Sequence, residues 1–246
     1  MGVDVGYVIY LPPGYEDAVN AARRYPVVYW LPGGRLGSEL RNIFLAENRD
    51  RHIRSGRVPP RIYVLVNGGR LSHYDYDGSL GETAFVKELI PHVDRTYRTV
   101  GNRWGRALEG FESGGRGTAR IMFKYPEVFC SAAPMGGGHQ REKDNSEKRG
   151  EVKLGSAALV VDFSHNSWDL TRAYARLKDA PPLEILVVVG TLDCNYEANI
   201  EWMGHLQSLG IPFSRQVVPE VPHSARRVYE KIGHEIMQFH EKCFAR

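Results

Sequence analysis

The strongest constraint on the fold is the alternation along the chain of short, β-branched apolar segments with longer amphipathic ones. The short segments are bounded by Gly or Pro and predict strands. Several of them, such as residues 185–190 (ILVVVG), have no polar face. Strands of that kind occur in parallel sheets that are covered on both faces. The alternation therefore predicts an α/β fold with a mostly parallel central sheet and helices on both faces.

Strands are predicted at residues 5–11, 26–31, 61–66, 106–110, 131–133, 184–190 and 214–218. Helices are predicted at residues 83–97, 115–124, 168–177, 196–209 and 225–244. One stretch, residues 136–155, is polar, flanked by glycine and without periodicity. It is interpreted as a surface loop or insertion, and loops at the carboxyl ends of strands build the binding crevices of α/β proteins.

Length and charge limit the classes of function. With 246 residues the chain is predicted to form a single domain over residues 1–246. A net charge of +3 is too small to indicate nucleic-acid or anionic-membrane binding. A small-molecule substrate is the simpler expectation, with no nucleic-acid and no membrane partner. The sequence leaves the oligomeric state open, a homodimer being one option.

The cysteines and the N-terminus bear on the cellular compartment. Cys130, Cys194 and Cys243 form no CxxC pair, so neither a zinc site nor a disulfide framework is read from them, and they are expected to be reduced or buried. No apolar run reaches the roughly 18 residues of a membrane span, and the first residues lack a basic start followed by an apolar run. A cytoplasmic location is the expectation, with a trimmed secreted protein as the alternative.

The segment with the most chemical information is residues 106–138: a strand, a glycine-rich turn, a helix and another short strand. This is the arrangement of a nucleophile elbow, whose tight turn admits only small residues beside the exposed catalytic side chain. Gly110 and Gly114 bracket the pattern G-x-nucleophile-x-G, which places Glu112 at the apex. A register with Ser113 at the apex would put Phe111 where a small residue belongs.

With these motifs in place, the sequence resembles the family of esterases that includes esterase D and the feruloyl esterases, within the α/β-hydrolase superfamily. The resemblance runs through LPPGYED, YPVVYWLPGG, ETAFVKELIPHVDRTYRTV, the elbow, VVVGTLDCNYEANIEWMGHLQSLGIP and VPEVPH. The family's elbow normally reads GFSMGG, and its oxyanion strand normally ends in LHGG. This chain carries Glu112 in place of the serine and Pro32 in place of the histidine.

The resemblance assigns the remaining site residues. Asp193 stands at the position of the family's acid and His223 at that of its base, in the order expected for α/β-hydrolases. The alternatives are a helix-capping aspartate and a surface histidine. The backbone amides of Gly34 and Ser113 would be the oxyanion donors. The alternative for the PGGR segment that contains Gly34 is a plain strand-exit turn.

Further residues are implied to contact substrate. Pro32 lies at the oxyanion turn, where it lacks an N–H to donate. His165 and Trp168 lie in HNSWD, a region that often forms a lid or acyl pocket in relatives. No cofactor and no metal are implied.

Glu112 cannot perform the chemistry of the serine it replaces. A carboxylate has no proton to give up, and its attack on an ester carbonyl would form an anhydride, which is uphill. Three roles remain: a nucleophile towards an sp3 carbon, a general acid or base if burial raises its pKa, or a blocking group paired with His223. The sequence therefore predicts a hydrolase of a small ester or ether-like bond that uses Glu112, His223 and Asp193. The alternative is an inactive ligand-binding protein.

Overall fold

The strands build one large sheet and two short hairpins. The structure, a computed structural model, describes residues 4–34, 38–69, 72–76, 78–148, 152–154, 157–159 and 165–246. The described strands are β1 (Tyr7–Tyr10), β2 (Val27–Leu31), β3 (Ile62–Val66), β4 (Asp75–Tyr76), β5 (Ser79–Leu80), β6 (Arg106–Phe111), β7 (Ser131–Met135), β8 (Val152–Leu154), β9 (Ala157–Leu159), β10 (Glu184–Leu192) and β11 (Ser214–Pro222).

The helices lie between these strands. They are α1 (Leu45–Arg54), α2 (Gly81–Thr83), a π-helix (Ala84–Leu89), α3 (Ile90–Thr96), α4 (Ser113–Lys124), α5 (Gln140–Lys148), α6 (Ser167–Ala175), α7 (Tyr196–Ser208), α8 (Ala225–Phe239) and α9 (Glu241–Phe244), with 3-10 turns at Ala18–Asn20 and Arg103–Gly105. Within the described part of the chain, no helix has the length and apolar character needed to cross a membrane.

The large sheet has seven strands in the order β1-β3-β2-β6-β7-β10-β11. Only β1, at one edge, pairs antiparallel to its neighbour; the other pairs are parallel. The predicted mostly parallel α/β sheet is confirmed. Because parallel strands share a direction, the segments that follow β2, β6, β10 and β11 meet at one end of the sheet.

Both faces of the sheet are covered, which explains why its strands lack a polar face. In β2, Tyr29 and Leu31 enter one hydrophobic cluster and Trp30 enters another on the opposite face. All three are fully buried. Successive side chains of a strand point to opposite faces, so two covered faces require an apolar residue at every position.

Two predicted helices are interrupted. Residues 83–97 contain the last residue of α2, the π-helix and α3, and Pro91 stands in the first turn of α3. Proline has no N–H to bond back to the preceding turn, so the regular hydrogen-bond ladder is broken at that place. The other, residues 225–244, divides at His240 into α8 and α9.

Residues 140–148, predicted as part of a surface loop, form the helix α5. Its anchor is Glu142, a buried carboxylate that accepts hydrogen bonds from Tyr74 Oη (2.7 Å), Arg120 Nη1 (3.2 Å) and the Ser167 amide (3.0 Å). A polar helix held by one buried acid has no apolar periodicity, so a pattern based on hydrophobicity does not find it.

The sequence offered no disulfide and predicted cysteines that are reduced or buried; the structure corrects this for one buried pair. Cys130, just before β7, and Cys243, in α9, form a disulfide with a Cα–Cα distance of 6.0 Å. The two residues are 113 positions apart and meet because α8 and α9 return to the start of β7. Cys194 is free and exposed.

Candidate active site

Glu112 forms the apex of the turn between β6 and α4. Its backbone angles are φ 58° and ψ −115°, and the helix begins at the next residue, Ser113. A non-glycine residue in this region costs about 1–3 kcal/mol and persists only where the surroundings enforce it. The register predicted from the glycines is confirmed, with Glu112 and not Ser113 at the apex.

Two glycines allow the turn to be this tight. A Cβ on Gly110 would overlap the carbonyl of Gly114, and a Cβ on Gly114 would overlap the carbonyl of Leu31 at the end of β2. Any side chain at either position would therefore push the start of α4 away from β2 and β6. This close packing holds the apex at the carboxyl end of the sheet.

The Glu112 carboxylate is bound by the groups that were predicted to stabilise an oxyanion. The Gly34 amide donates to Oε2, and the Ser113 hydroxyl donates to the same oxygen at 3.0 Å. The Ser113 amide also favours the ionised form of the carboxylate. A protein oxygen thus accepts hydrogen bonds from the residues that the resemblance implied as oxyanion donors.

These hydrogen bonds set the ionisation of Glu112. Burial of the side chain opposes ionisation and is the largest single effect, but the Ser113 and Gly34 amides, the Ser113 hydroxyl and the nearby Arg116 together outweigh it. The pKa of Glu112 is consequently lowered from its ordinary value of 4.5. A carboxyl group that acts as a general acid at neutral pH needs a raised pKa, so the lowered pKa of Glu112 disfavours this role.

His223 and Asp193 are joined by a hydrogen bond of 2.7 Å between Nδ1 and Oδ1. Asp193 is buried after β10, and the Asn195 amide donates to the same oxygen at 2.8 Å, which fixes the carboxylate. The Phe111 ring packs against the imidazole with centroids 4.7 Å apart. With Nδ1 engaged, Nε2 is the nitrogen that can meet a water molecule or a substrate.

The pKa of His223 is raised from its ordinary value of 6.5. The hydrogen bond to Asp193 is the largest cause; burial opposes it, and the negative charges of Asp193 and Glu112 add to it. An imidazole with this environment is a stronger base than a free one, and the proton it accepts is stabilised by two carboxylates.

A pocket of about 490 Å³ opens beside these groups. It is lined by Gly33, Gly34, Arg41, Asn42, Phe44, Phe111, Glu112, His223, Ser224, Ala225 and Arg226. The structure therefore brings together Glu112, His223 and Gly34 on one cavity wall, with Asp193 behind His223 and Ser113 behind Glu112.

Comparisons with known proteins identify the family and the fold of this chain. A sequence profile of the family described as "Putative esterase" matches residues 1–209. The chain belongs to this family. Esterase Rv1288 of Mycobacterium tuberculosis (strain ATCC 25618 / H37Rv) is 27% identical over 246 residues, covering 89% of this chain and 52% of that protein. The chain thus spans about half the length of this curated relative.

A second curated relative and two solved structures extend the likeness. An endo-1,4-beta-xylanase/feruloyl esterase of Xylanibacter ruminicola is 30% identical over 149 residues, 53% of this chain and 19% of that protein. A ferulic acid esterase structure has a TM-score of 0.76 at 21% identity, covering 97% of this chain and 92% of the other. A fluorophosphonate-binding serine hydrolase of Staphylococcus aureus has a TM-score of 0.75 at 14% sequence identity, covering 99% of this chain and 93% of the other. The fold is that of the α/β-hydrolase esterases.

For three further residues, the sequence predicts contact with substrate. Pro32 is buried, and Trp168 is packed in the core, donating its indole N–H to the His139 carbonyl at 3.2 Å. Neither of them, nor His165, is among the described residues that line the pocket. The lining of this pocket therefore gives no support for substrate contact by Pro32, His165 or Trp168.

The sequence did not single out Arg41, Asn42 and Arg226, which line the same pocket. A signal for Arg226 was present: Arg226 and Arg227 stand in the first turn of α8, which has no acidic residue. Basic residues at a helix N-terminus oppose the helix dipole, so their presence indicates another requirement. Residues 38–44 have no periodicity that would mark Arg41 or Asn42.

One cluster in the site could be read as a metal site. Ligand atoms of Asp193, Cys194 and His223 lie within 4.8 Å of one another. However, Asp193 and His223 are already joined through Nδ1, and burial together with the charge of Asp193 raises the pKa of the Cys194 thiol. A thiol must be deprotonated to bind a metal, so the raised pKa disfavours Cys194 as a ligand.

Proposed function

We propose that this chain is a hydrolase in which Glu112 is a carboxylate nucleophile. It would cleave a small ester at the bond between alkyl carbon and oxygen, or an ether-like bond such as that of an epoxide. His223, held by Asp193, would then hydrolyse the ester formed on Glu112. The non-serine mechanism is our inference; membership of an esterase family supports the general class of reaction.

The observation that carries the proposal is the pair of hydrogen bonds that Glu112 Oε2 accepts from the Gly34 amide and the Ser113 hydroxyl. If Glu112 becomes an ester, its carbonyl oxygen must lie in an oxyanion hole for water to attack the carbonyl carbon efficiently. Oε2 already has hydrogen bonds from the Gly34 amide and from Ser113. The hole would therefore serve the enzyme's own ester rather than the substrate's carbonyl.

In the first step, an oxygen of the ionised Glu112 attacks an sp3 carbon of the substrate. A new C–O bond forms, and the bond to the leaving oxygen breaks with its electron pair on that oxygen. An acid anion leaves directly, whereas the alkoxide of an opened epoxide takes a proton from water. The lowered pKa of Glu112 keeps it ionised for this step.

In the second step, His223 Nε2 takes a proton from water, and the hydroxide attacks the Glu112 carbonyl carbon. The negative charge of the tetrahedral intermediate falls on the oxygen held by the Gly34 amide and the Ser113 hydroxyl. Collapse expels the alkoxide, which takes the proton from His223 and leaves as the alcohol. Glu112 returns as an acid and loses its proton to solvent because its pKa is low.

The decisive experiment uses His223→Gln, because this change removes the base of the second step and spares the first. Incubation with propylene oxide should give a stable adduct on Glu112, seen as one added epoxide in the intact mass and located by peptide mapping. In the unchanged protein, a single turnover in oxygen-18 water should place the label in Glu112 before it appears in the diol.

The control is Glu112→Gln/His223→Gln, which keeps the shape of the site but has no nucleophilic carboxylate. It should carry no adduct at residue 112, while any alkylation of the exposed Cys194 should be equal in both proteins. Absence of an adduct at Glu112 in His223→Gln, together with no turnover by the unchanged protein, would favour the non-catalytic ligand-binding alternative.

A further inference from the structure

The pocket beside Glu112 has a basic wall that the proposed mechanism does not use. Arg41, Asn42 and Arg226 line it together with Glu112 and His223. Each of the three presents hydrogen-bond donors, and two of them are cations. A wall of donors next to a nucleophile selects the chemistry of the substrate that can lie there.

The Arg41 guanidinium lies against the backbone of Gly34. A Cβ added to Gly34 would overlap the guanidinium of Arg41. The Gly34 amide is the donor that holds Glu112 Oε2. The positive charge of Arg41 is therefore at the reacting end of the pocket and not on a distant surface.

Arg226 reaches the pocket from the first turn of α8. Its guanidinium lies 4.2 Å from the centroid of the Phe44 ring, which also lines the pocket. Stacking on an aromatic face restricts an arginine while its in-plane N–H groups stay available to an anion. Placing this cation at a helix N-terminus opposes the helix dipole, and a bound anion would compensate for that cost.

Asn42 supplies an oriented amide. The buried Trp30 indole donates to Asn42 Oδ1 at 3.1 Å. An indole N–H can only donate, so the oxygen of Asn42 must face Trp30 and the amino group must face the other way. Since Asn42 lines the pocket, this amino group is a fixed third donor.

We propose that Arg41, Arg226 and Asn42 bind an anionic oxyacid group, a sulfonate, sulfate or carboxylate, carried by the substrate. The chemistry at the cleaved bond rests on the proposed function; the recognition of the anion does not. Ionised Glu112 alone would repel an anionic substrate. The two arginines reverse the sign of the charge at the pocket and let the anion approach the carboxylate.

The test is binding of an unreactive anion to the whole chain. Propanesulfonate contains no bond that Glu112 can cleave, and propanesulfonamide is its neutral counterpart. Calorimetry at low ionic strength should show binding of the sulfonate and at least about tenfold weaker binding of the sulfonamide. Arg226→Gln should weaken sulfonate binding at least about threefold, and Arg41→Gln/Arg226→Gln at least about tenfold.

The matched control is Arg227→Gln. Arg227 follows Arg226 in sequence and pairs with Glu230 at the surface, and it is not among the described residues lining the pocket. The variant loses the same charge as Arg226→Gln, but at a position outside the pocket lining, so sulfonate affinity should stay unchanged. Equal affinity for sulfonate and sulfonamide, or equal weakening by Arg226→Gln and Arg227→Gln, would overturn the proposal.

A second arm separates this proposal from the proposed function. Glycidate and glycidamide are epoxides that differ in the charge of one group. Sulfonate binding that depends on the arginines supports the anion site even if no adduct forms on Glu112. Adducts formed at equal rates from glycidate and glycidamide, with Arg41→Gln/Arg226→Gln as efficient as the unchanged protein, would overturn the anion site and leave the mechanism standing.

Discussion

At the scale of single residues, the Glu112 side chain fills the position that was predicted to hold a substrate oxyanion. In a serine triad the hole is empty until the substrate's carbonyl oxygen enters it. Here Glu112 Oε2 fills it, with the Gly34 amide as donor. The His223 and Asp193 pair keeps the geometry of a base and its orienting acid. The partners that the resemblance implies for a serine triad thus surround a glutamate in place of the serine.

Glu112→Ser should restore the serine chemistry. It removes the carboxylate from the hole and places a hydroxyl at the apex near His223, which is already oriented by Asp193. The variant should be labelled by a fluorophosphonate probe and should hydrolyse an aryl acetate, whereas the unchanged protein should do neither. Gel-based labelling with mass mapping measures the first, and the absorbance of the released phenol measures the second. Stoichiometric labelling of the unchanged protein at Ser113 would contradict the assignment of Glu112.

The second step should depend on pH through His223. Its raised pKa means that the neutral base is lost on acidification earlier than for an ordinary histidine. The rate of decay of the Glu112 ester should therefore rise with pH, with its midpoint above 6.5. Adduct formation should persist below that midpoint, because the pKa of Glu112 is lowered from 4.5.

Asp193→Asn is the control for the pH profile. The hydrogen bond to Asp193 is the largest cause of the raised pKa, and its loss should move the midpoint down. Decay measured by quenched-flow mass spectrometry gives both profiles. A rate independent of pH between about 5 and 8 would show that His223 is not the base.

The order of the site residues could be predicted from the sequence, but the direction of the Glu112 side chain could not. Glycine spacing places Glu112 at the apex because the turn tolerates no Cβ at Gly110 or Gly114. The carboxylate turns towards the Gly34 amide, which is 78 positions away in sequence. A contact between such distant segments exists only after β2 and β6 pair, so no local pattern contains it.

At the scale of secondary structure, apolar segments were predictable and polar ones were not. Every predicted strand of the large sheet is present, because burial on both faces leaves a clear apolar run. The helices α1 and α5 were not predicted. The described buried residues of α5, Glu142 and Ser146, are both polar. The partners of the Glu142 carboxylate come from other elements.

Glu142→Ala should destabilise the protein strongly. Glu142 and Arg120 form a buried ion pair at 3.2 Å, and removal of one partner leaves a buried charge without compensation. Such changes cost about 3–5 kcal/mol in free energy of unfolding. Urea denaturation followed by circular dichroism measures the loss.

Glu147→Ala on the same helix is the matched control. Glu147 is exposed and pairs with Lys143 at 3.7 Å, so its loss should change the free energy of unfolding by less than about 0.5 kcal/mol. If both variants unfold at the same urea concentration, Glu142 does not anchor α5.

At the scale of the whole molecule, contacts between the ends of the chain close the fold behind the site. Apart from the exchange of β2 and β3, the strands of the large sheet follow one another in sequence order. After β11, α8 and α9 pack against the sheet. The buried group Arg49, Glu109, Tyr229 and His240 joins α1 and β6 to these C-terminal helices. The apex carrying Glu112 therefore follows a strand, β6, whose Glu109 is hydrogen-bonded to Tyr229 and His240 of the C-terminal segment.

The disulfide between Cys130 and Cys243 should contribute to the stability of this arrangement. It closes a loop of 113 positions, and restricting the unfolded chain over so long a loop contributes about 2–5 kcal/mol. Cys243→Ser, or reduction of the unchanged protein with dithiothreitol, should lower the free energy of unfolding by that amount. Cys194→Ser removes an exposed free thiol and should leave it unchanged. Thiol titration of the unfolded, unreduced protein should detect Cys194 alone; three reactive thiols and a stability insensitive to dithiothreitol would show that the pair does not form.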